Sequence, residues 1–190
     1  MSAIARDEEA TEALARKLRG GDRAAMQVAF AEHAPGVART VKALACRAGT
    51  TEDLVQEVFV VAFTRIETYE GRVPLAAWLH GIAVNVVRNQ RRRDRRRGEL
   101  RERFEPAARE RPDTPEEVLA TRRLADQLWN AVDALGDRQR EAFVLRVLEE
   151  RSLAECAQVL GISIKSVSRR AVAAERSVRA RLAAASGGQR

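Results

Sequence analysis

The sequence predicts an all-α protein of two small helical domains joined by a flexible linker. Apolar residues recur at three- and four-residue steps along the chain, and no alternating apolar run bounded by turn residues occurs. Hydrophobic residues make up 45% of the chain but aromatics only 4%, which suits small helical cores of Leu, Val and Ala. Charge divides the 190 residues: segment 22–97 carries 13 basic and 8 acidic side chains, and 151–190 carries 8 and 2. The stretch between them is mildly acidic. Each lobe flanking the linker spans about 70 residues, marginal for an isolated core but workable for a compact helical bundle.

In the first lobe, an N-terminal extension (1–21) is expected to hold a peripheral helix over 3–19, ended by Gly20-Gly21. Asp22 caps a segment containing Met26, Val28 and Phe30, and Pro35-Gly36 is expected to break it. Val37, Val41, Leu44 and Ala45 mark the next helix, stopped by Gly49. Thr50 and Thr51 offer caps for a helix over 52–68, in which Leu54, Val55, Val58, Phe59, Ala62, Phe63 and Ile66 form a broad apolar face. The outer side of that helix carries Asp53, Gln56 and Glu57. A polar loop, Tyr69 to Val73, leads through Pro74 into a helix with Leu75, Trp78, Leu79, Ile82, Val86 and Val87 on one stripe. That helix runs into RNQRRRDRRR, seven arginines interrupted by one acid. An arginine-bearing helix face can follow phosphates, with affinity falling steeply as salt rises.

Residues 98–117 read as the linker: GELRERFEPAARERPD is polar, holds two prolines and has no sustained apolar stripe. Order restarts at Thr114-Pro115-Glu116-Glu117, a Thr cap followed by Pro at the first helical position. The second lobe is expected over 118–185, with a tail at 186–190. Leu124, Leu128, Val132 and Leu135 mark one helix; Phe143, Val144, Val147 and Leu148 mark another that starts at Asp137. Both underlie a helix-turn-helix at about 153–172. Ser152 and Glu155 form a capping-box pattern, Gly161 supplies the turn, and Ser163 caps the following helix. That helix buries Ile164, Val167, Ala171, Ala174 and Val178 and presents Lys165, Ser166, Ser168, Arg169 and Arg170, which can reach phosphates and base edges.

The net charge of +7 and sequence pI near 10.5 point to a polyanion partner such as nucleic acid. The two histidines neighbour no cysteine, so metal-ligand spacing is absent, and no cofactor motif occurs. Cys46 and Cys156 lie far apart among apolar helix positions and read as buried free thiols. The charged N-terminus has no apolar core of a signal peptide, and no segment approaches eighteen consecutive apolar residues. Those readings make membrane insertion unexpected and the cytoplasm the expected compartment. No phosphate loop, paired histidines or cysteine beside a plausible base supports an enzyme.

TEDLVQEVFVVAF, followed by PLAAWLHGIAVNVVRNQRRR, resembles region 2 of bacterial RNA polymerase sigma factors, the −10-binding domain. ALGDRQREAFVLRVLEERSLAECAQVLGISIKSVSRR resembles region 4, the −35-binding domain. Both on one short chain, in this order, resemble the extracytoplasmic-function (ECF, group IV) subfamily of the sigma-70 family. The resemblance covers about 22–97 and 118–182. It implies a non-enzymatic subunit that directs promoter-specific initiation by core RNA polymerase and promotes strand opening.

By that resemblance Asp53, Leu54, Gln56 and Glu57 dock on the β′ clamp helices of core polymerase, and the region around Arg138 to Arg146 meets the β flap. Tyr69, Gly71, Arg72, Asn85, Arg88, Asn89, Arg91 and Arg92 are implied to contact the −10 region. The loop Tyr69 to Val73 matches the family's base-capturing loop, where Tyr69 is either a stacking platform or a lid over the core. Lys165, Ser166, Ser168, Arg169, Arg170 and Arg176 are implied to contact the −35 element. Ser168, Ala173 and Glu175 stand where family members often carry basic residues. An anti-sigma factor is an expected partner on the same ground. The rival reading is a stand-alone helix-turn-helix regulator that binds duplex DNA without polymerase; it leaves the Asp53-Gln56-Glu57 face and the first lobe's basic helix unexplained.

Overall fold

A computed structural model of the chain describes residues 13–45, 51–71, 73–97 and 116–187. All regular elements among them are helical: α1 (13–19), α2 (Arg23–Ala45), α3 (Thr51–Thr64), a short 3-10 turn (Ile66–Thr68), α4 (Leu75–Arg97), α5 (Glu116–Asp133), α6 (Asp137–Phe143), a π-helical turn (Val144–Leu148), α7 (Leu153–Leu160) and α8 (Ile164–Gly187). None of these helices is long and apolar enough to cross a membrane. Most of the expected linker lies outside the described residues, as do Cys46, Arg72 and the Thr50 and Thr114 caps.

Two expectations for the first lobe are corrected. Helix α1 is not peripheral: Ala15 and Leu18 are fully buried in the core that α2, α3 and α4 share. Pro35 does not break the chain, because α2 runs through it without interruption. Ala25, Ala29, Val37, Val41 and Leu44 are all buried and keep four- and three-residue steps on either side of the proline. Burial of that continuous stripe outweighs the roughly 3 kcal/mol that an interior proline costs a helix. Pro35 itself is exposed, so water can satisfy the carbonyl one turn back that it leaves unpaired. Asp22 caps α2 as its sequence indicates, its Oδ1 accepting from the Ala24 and Ala25 amides at 2.8 and 3.2 Å.

In the second lobe, Ala131, Val132, Leu135, Phe143, Ala174 and Val178 join α5, α6 and α8. Arg140 is buried there, its guanidinium donating to the carbonyls of Val132, Asp133 and Leu135 at 3.1, 2.5 and 2.9 Å. It thereby holds carbonyls at the end of α5 and in the turn that follows.

The lobes are docked on each other. Leu145, Cys156, Leu160 and Val167 of the second lobe belong to the same buried apolar cluster as Val41, Val58 and Val84 of the first. Helix α7 packs against α4 at Gly81, where a Cβ would sit 3.4 Å from the Val159 side chain, in ordinary contact. Burial at this seam pushes the Cys156 thiol up to about 11, so it packs as a small apolar side chain.

Candidate polymerase and promoter interfaces

Helix α3 separates its two faces cleanly. Leu54, Val55, Val58, Phe59 and Ala62 are buried, while Asp53 and Gln56 are exposed and Glu57 is partly so. Glu57 lies 3.6 Å from Arg93 of α4, a loose and exposed pair. Leu54 is only 3% exposed, which corrects its assignment as a docking residue: it supports the polar face from beneath. Val60, 64% exposed, continues the stripe of Gln56 and Glu57 by one further turn.

The loop before α4 is built around Tyr69. Its side chain is 2% exposed, the ring lies 5.2 Å from that of Trp78, and the hydroxyl donates to the Val73 carbonyl at 2.8 Å. The stacking-platform alternative is therefore corrected: the ring is a lid on the core, and the buried hydroxyl needs the partner it has. Gly71 takes a left-handed φ of 72°, which a side chain would strain. Arg72 lies outside the described residues.

Along α4 the expected contact residues divide into two strips. Asn85, Asn89 and Arg92 are exposed together at four- and three-residue steps. Arg88 and Arg91 lie on the neighbouring strip with Arg95 and face the second lobe. Arg88 grips Glu141 of α6 through two hydrogen bonds, Nε to Oε1 at 2.6 Å and Nη2 to Oε2 at 2.5 Å. Arg91 donates to Asp137 at 2.5 Å and to the Leu44 carbonyl, and Arg95 donates to the same Asp137 at 2.8 Å. Hydrogen bonding to Glu141 raises the Arg88 pKa against the opposing effect of burial.

A second polar contact closes the same seam. His80 is buried, with Nδ1 2.7 Å from Thr40 Oγ1 and Nε2 3.6 Å from Glu149. Arg39 approaches the same Glu149 oxygen at 3.6 Å. Burial, reinforced by the charges of Arg151, Arg39 and His33, pushes the His80 pKa down to about 4. Burial raises that of Glu149 against the pull of Arg39 and Thr40. Sequence spacing gave no signal for these pairs, because Thr40 lies forty residues from His80, and Glu149 reaches His80 and Arg39 from the other lobe.

The helix-turn-helix follows its sequence pattern closely. Ser152 Oγ accepts from the Glu155 amide and the Glu155 carboxylate accepts from the Ser152 amide, a complete capping box. Gly161 is left-handed at φ 65°, and Ser163 Oγ accepts from the Ser166 amide at the start of α8. Helix α8 buries Val167, Ala171, Ala174 and Val178, whereas Ile164 is exposed, contrary to its reading as core. Its outward strip is Lys165, Arg169, Val172 and Arg176, all exposed. Ser166, Ser168 and Arg170 are partly buried on the flanks of that strip, and Val172 is an addition to the expected set, 49% exposed. In the segment Arg138 to Arg146, only Arg138 and Arg146 present exposed cations; Arg140 and Glu141 are buried.

Two family models match the chain: Sigma-70 region 2 over residues 29–97 and Sigma-70, region 4 over 125–178. The chain belongs to the sigma-70 family. It is similar to sigma factors of the ECF group among others. It is 34% identical to the ECF RNA polymerase sigma factor SigE of Mycolicibacterium smegmatis, over 79% of this chain and 60% of SigE. It is 29% identical to the RNA polymerase sigma factor CnrH of Cupriavidus metallidurans, over 86% of this chain and 89% of CnrH. The structure of CnrH in complex with the cytosolic domain of CnrY matches 95% of this sigma factor and 99% of that chain, with a TM-score of 0.66 at 25% identity. The sigma factor RpoE of Bartonella quintana, in complex with the anti-sigma factor NepR, shares the fold with a TM-score of 0.68 at 23% identity, over 82% and 95% of the two chains.

Proposed function

We propose that this sigma factor binds core RNA polymerase and directs it to promoters carrying a −10 and a −35 element, promoting strand opening without catalytic chemistry of its own. The observation that carries this reading is the pairing of regions 2 and 4, in that order, with a basic outward strip on α8. Asp53, Gln56 and Glu57 dock on the β′ clamp helices, where carboxylates can pair with arginines. Exposed Arg138 and Arg146 suit the β flap. Asn85, Asn89 and Arg92, joined by Arg88 and Arg91 once the lobes part, contact the −10 region, and the loop at 69–73 captures an unstacked base. Lys165, Arg169 and Arg176 hold the −35 duplex, with Ser166, Ser168 and Arg170 beside them.

The likeness to RpoE, solved with the anti-sigma factor NepR, supports an anti-sigma partner for this chain. Action on polymerase makes the cytoplasm its compartment. Run-off transcription with core polymerase over a genomic fragment library tests the reading. Specific transcripts that need this protein are the expected result. No transcripts, together with tight duplex binding by the protein alone, would transfer the case to a stand-alone regulator. Charge reversal at Asp53 and Glu57 should remove core binding while the melting temperature holds; retained binding would overturn the docking face.

A further inference from the structure

The loop at 69–73 is held by a residue outside the matched region 2 segment. Arg19, the last residue of α1, donates from Nη2 to the Tyr69 carbonyl at 2.9 Å, across fifty residues of sequence. Its helix is fixed in place: Ala15 and Leu18 are fully buried, and Leu18 lines a small apolar hollow with Phe59, Ile66, Leu75 and Trp78. Gly20 and Gly21 end α1 by bonding back to the Arg16 and Leu18 carbonyls. Tyr69 then closes the loop on itself through its hydroxyl and Val73, with the left-handed Gly71 between. The entry to the loop is thus anchored twice, by a buried ring and by a guanidinium.

We propose that Arg19 is a positioning residue for strand opening: its grip on the Tyr69 carbonyl fixes the loop that receives the unstacked base. This rests on the base-capturing role proposed above for that loop. Extracting a base costs a few kcal/mol, and a loop that must also be ordered on binding offsets less of it. A charge-assisted bond to a backbone carbonyl orders the loop without occupying the side chains that meet the DNA.

The test uses the full chain assembled with core polymerase, and a single-stranded non-template oligonucleotide spanning the −10 element of a promoter found by run-off transcription. Abasic substitution at each position identifies the captured base in the wild type. Arg19→Ala should weaken binding to the intact strand about tenfold, the scale of one lost bond to a charged group. On the strand lacking the captured base, variant and wild type should bind equally. Arg19→Lys, which keeps a cationic donor, should recover part of the loss, and core binding and the melting temperature should stay near wild type. Equal binding of Arg19→Ala and wild type to the intact strand overturns the proposal. So does a loss that persists on the abasic strand, which would make Arg19 a support of the whole lobe. If no abasic position matters to the wild type, the base-capturing loop itself falls, a result separable from the other two.

Discussion

Arg88 and Glu141 join the two lobes as a forked pair, one guanidinium edge on one carboxylate, between α4 and α6. Asp137 repeats the arrangement one turn earlier on α6, taking Arg91 and Arg95. On the −10 role proposed above for Arg88 and Arg91, phosphates would need the guanidinium edges that these carboxylates hold. On that reading the docked lobes withhold part of the proposed −10 strip.

Glu141→Lys sets a cation against Arg88 and should separate the lobes. Small-angle scattering should then report a larger radius of gyration. Binding to single-stranded −10 DNA should tighten, and its salt dependence should steepen by about 0.7 per phosphate newly held. An unchanged radius with unchanged DNA binding would show that Glu141 does not hold the lobes together.

His80 makes the docking sensitive to acid. Its pKa of about 4 in the docked form lies below the unfolded value near 6.5, so the docked form binds fewer protons between those limits. Stability contributed by neutral His80 is complete above about pH 6.5 and is lost as pH falls toward 4, roughly 2 kcal/mol of it by pH 5. Arg39, Arg151 and His33 act on His80 in the same direction, whereas Glu149, whose pKa is raised, opposes it by taking up a proton. A thermal melt should therefore show a fall in stability from pH 7 to pH 5 that is smaller in His80→Asn. Parallel pH profiles for the two proteins would remove His80 from the account.

Gly161 tests the turn of the helix-turn-helix by itself. A Cβ there would meet nothing within 4 Å, so Gly161→Ala carries only the cost of a left-handed backbone at φ 65°. That cost is about 1 kcal/mol, and it should appear as a lower melting temperature with duplex recognition retained. A loss of several kcal/mol would mean that the turn is packed against something more than its own helices.

Features set by local chemistry were legible in the sequence: the capping box at Ser152 and Glu155, the turn at Gly161, the inward face of α3. Each depends on neighbours within four residues. Pro35 misled because a local rule met a tertiary stripe, and the four-residue spacing of Ala25, Ala29, Val37 and Val41 was the signal that outranked it. Tyr69 could not be decided from its neighbours, since Trp78 and Val73 determine its burial. Arg88–Glu141, His80–Glu149 and Arg19–Tyr69 join residues 50 to 70 positions apart, and no periodicity records such pairs. A buried Arg140 was equally hidden, because a guanidinium reads as surface until the carbonyls that hold it are seen.

The outward strip of α8 gives an ordered set of expectations for the −35 element. Lys165, Arg169 and Arg176 share it, whereas Arg170 lies on the flank, partly buried. Arg169→Ala should therefore reduce duplex affinity of the polymerase-bound protein more than Arg170→Ala does. Each of the three outward substitutions that removes a phosphate contact should lower the slope of log affinity against log salt by about 0.9. Val172 occupies the same strip without charge, so Val172→Ala should leave that slope unchanged whatever it does to sequence preference. Salt titrations of holoenzyme binding to an upstream duplex fragment decide the matter. A slope that falls as much for Arg170→Ala as for Arg169→Ala would mean that α8 enters the groove on its flank, with Ser166 and Arg170 foremost.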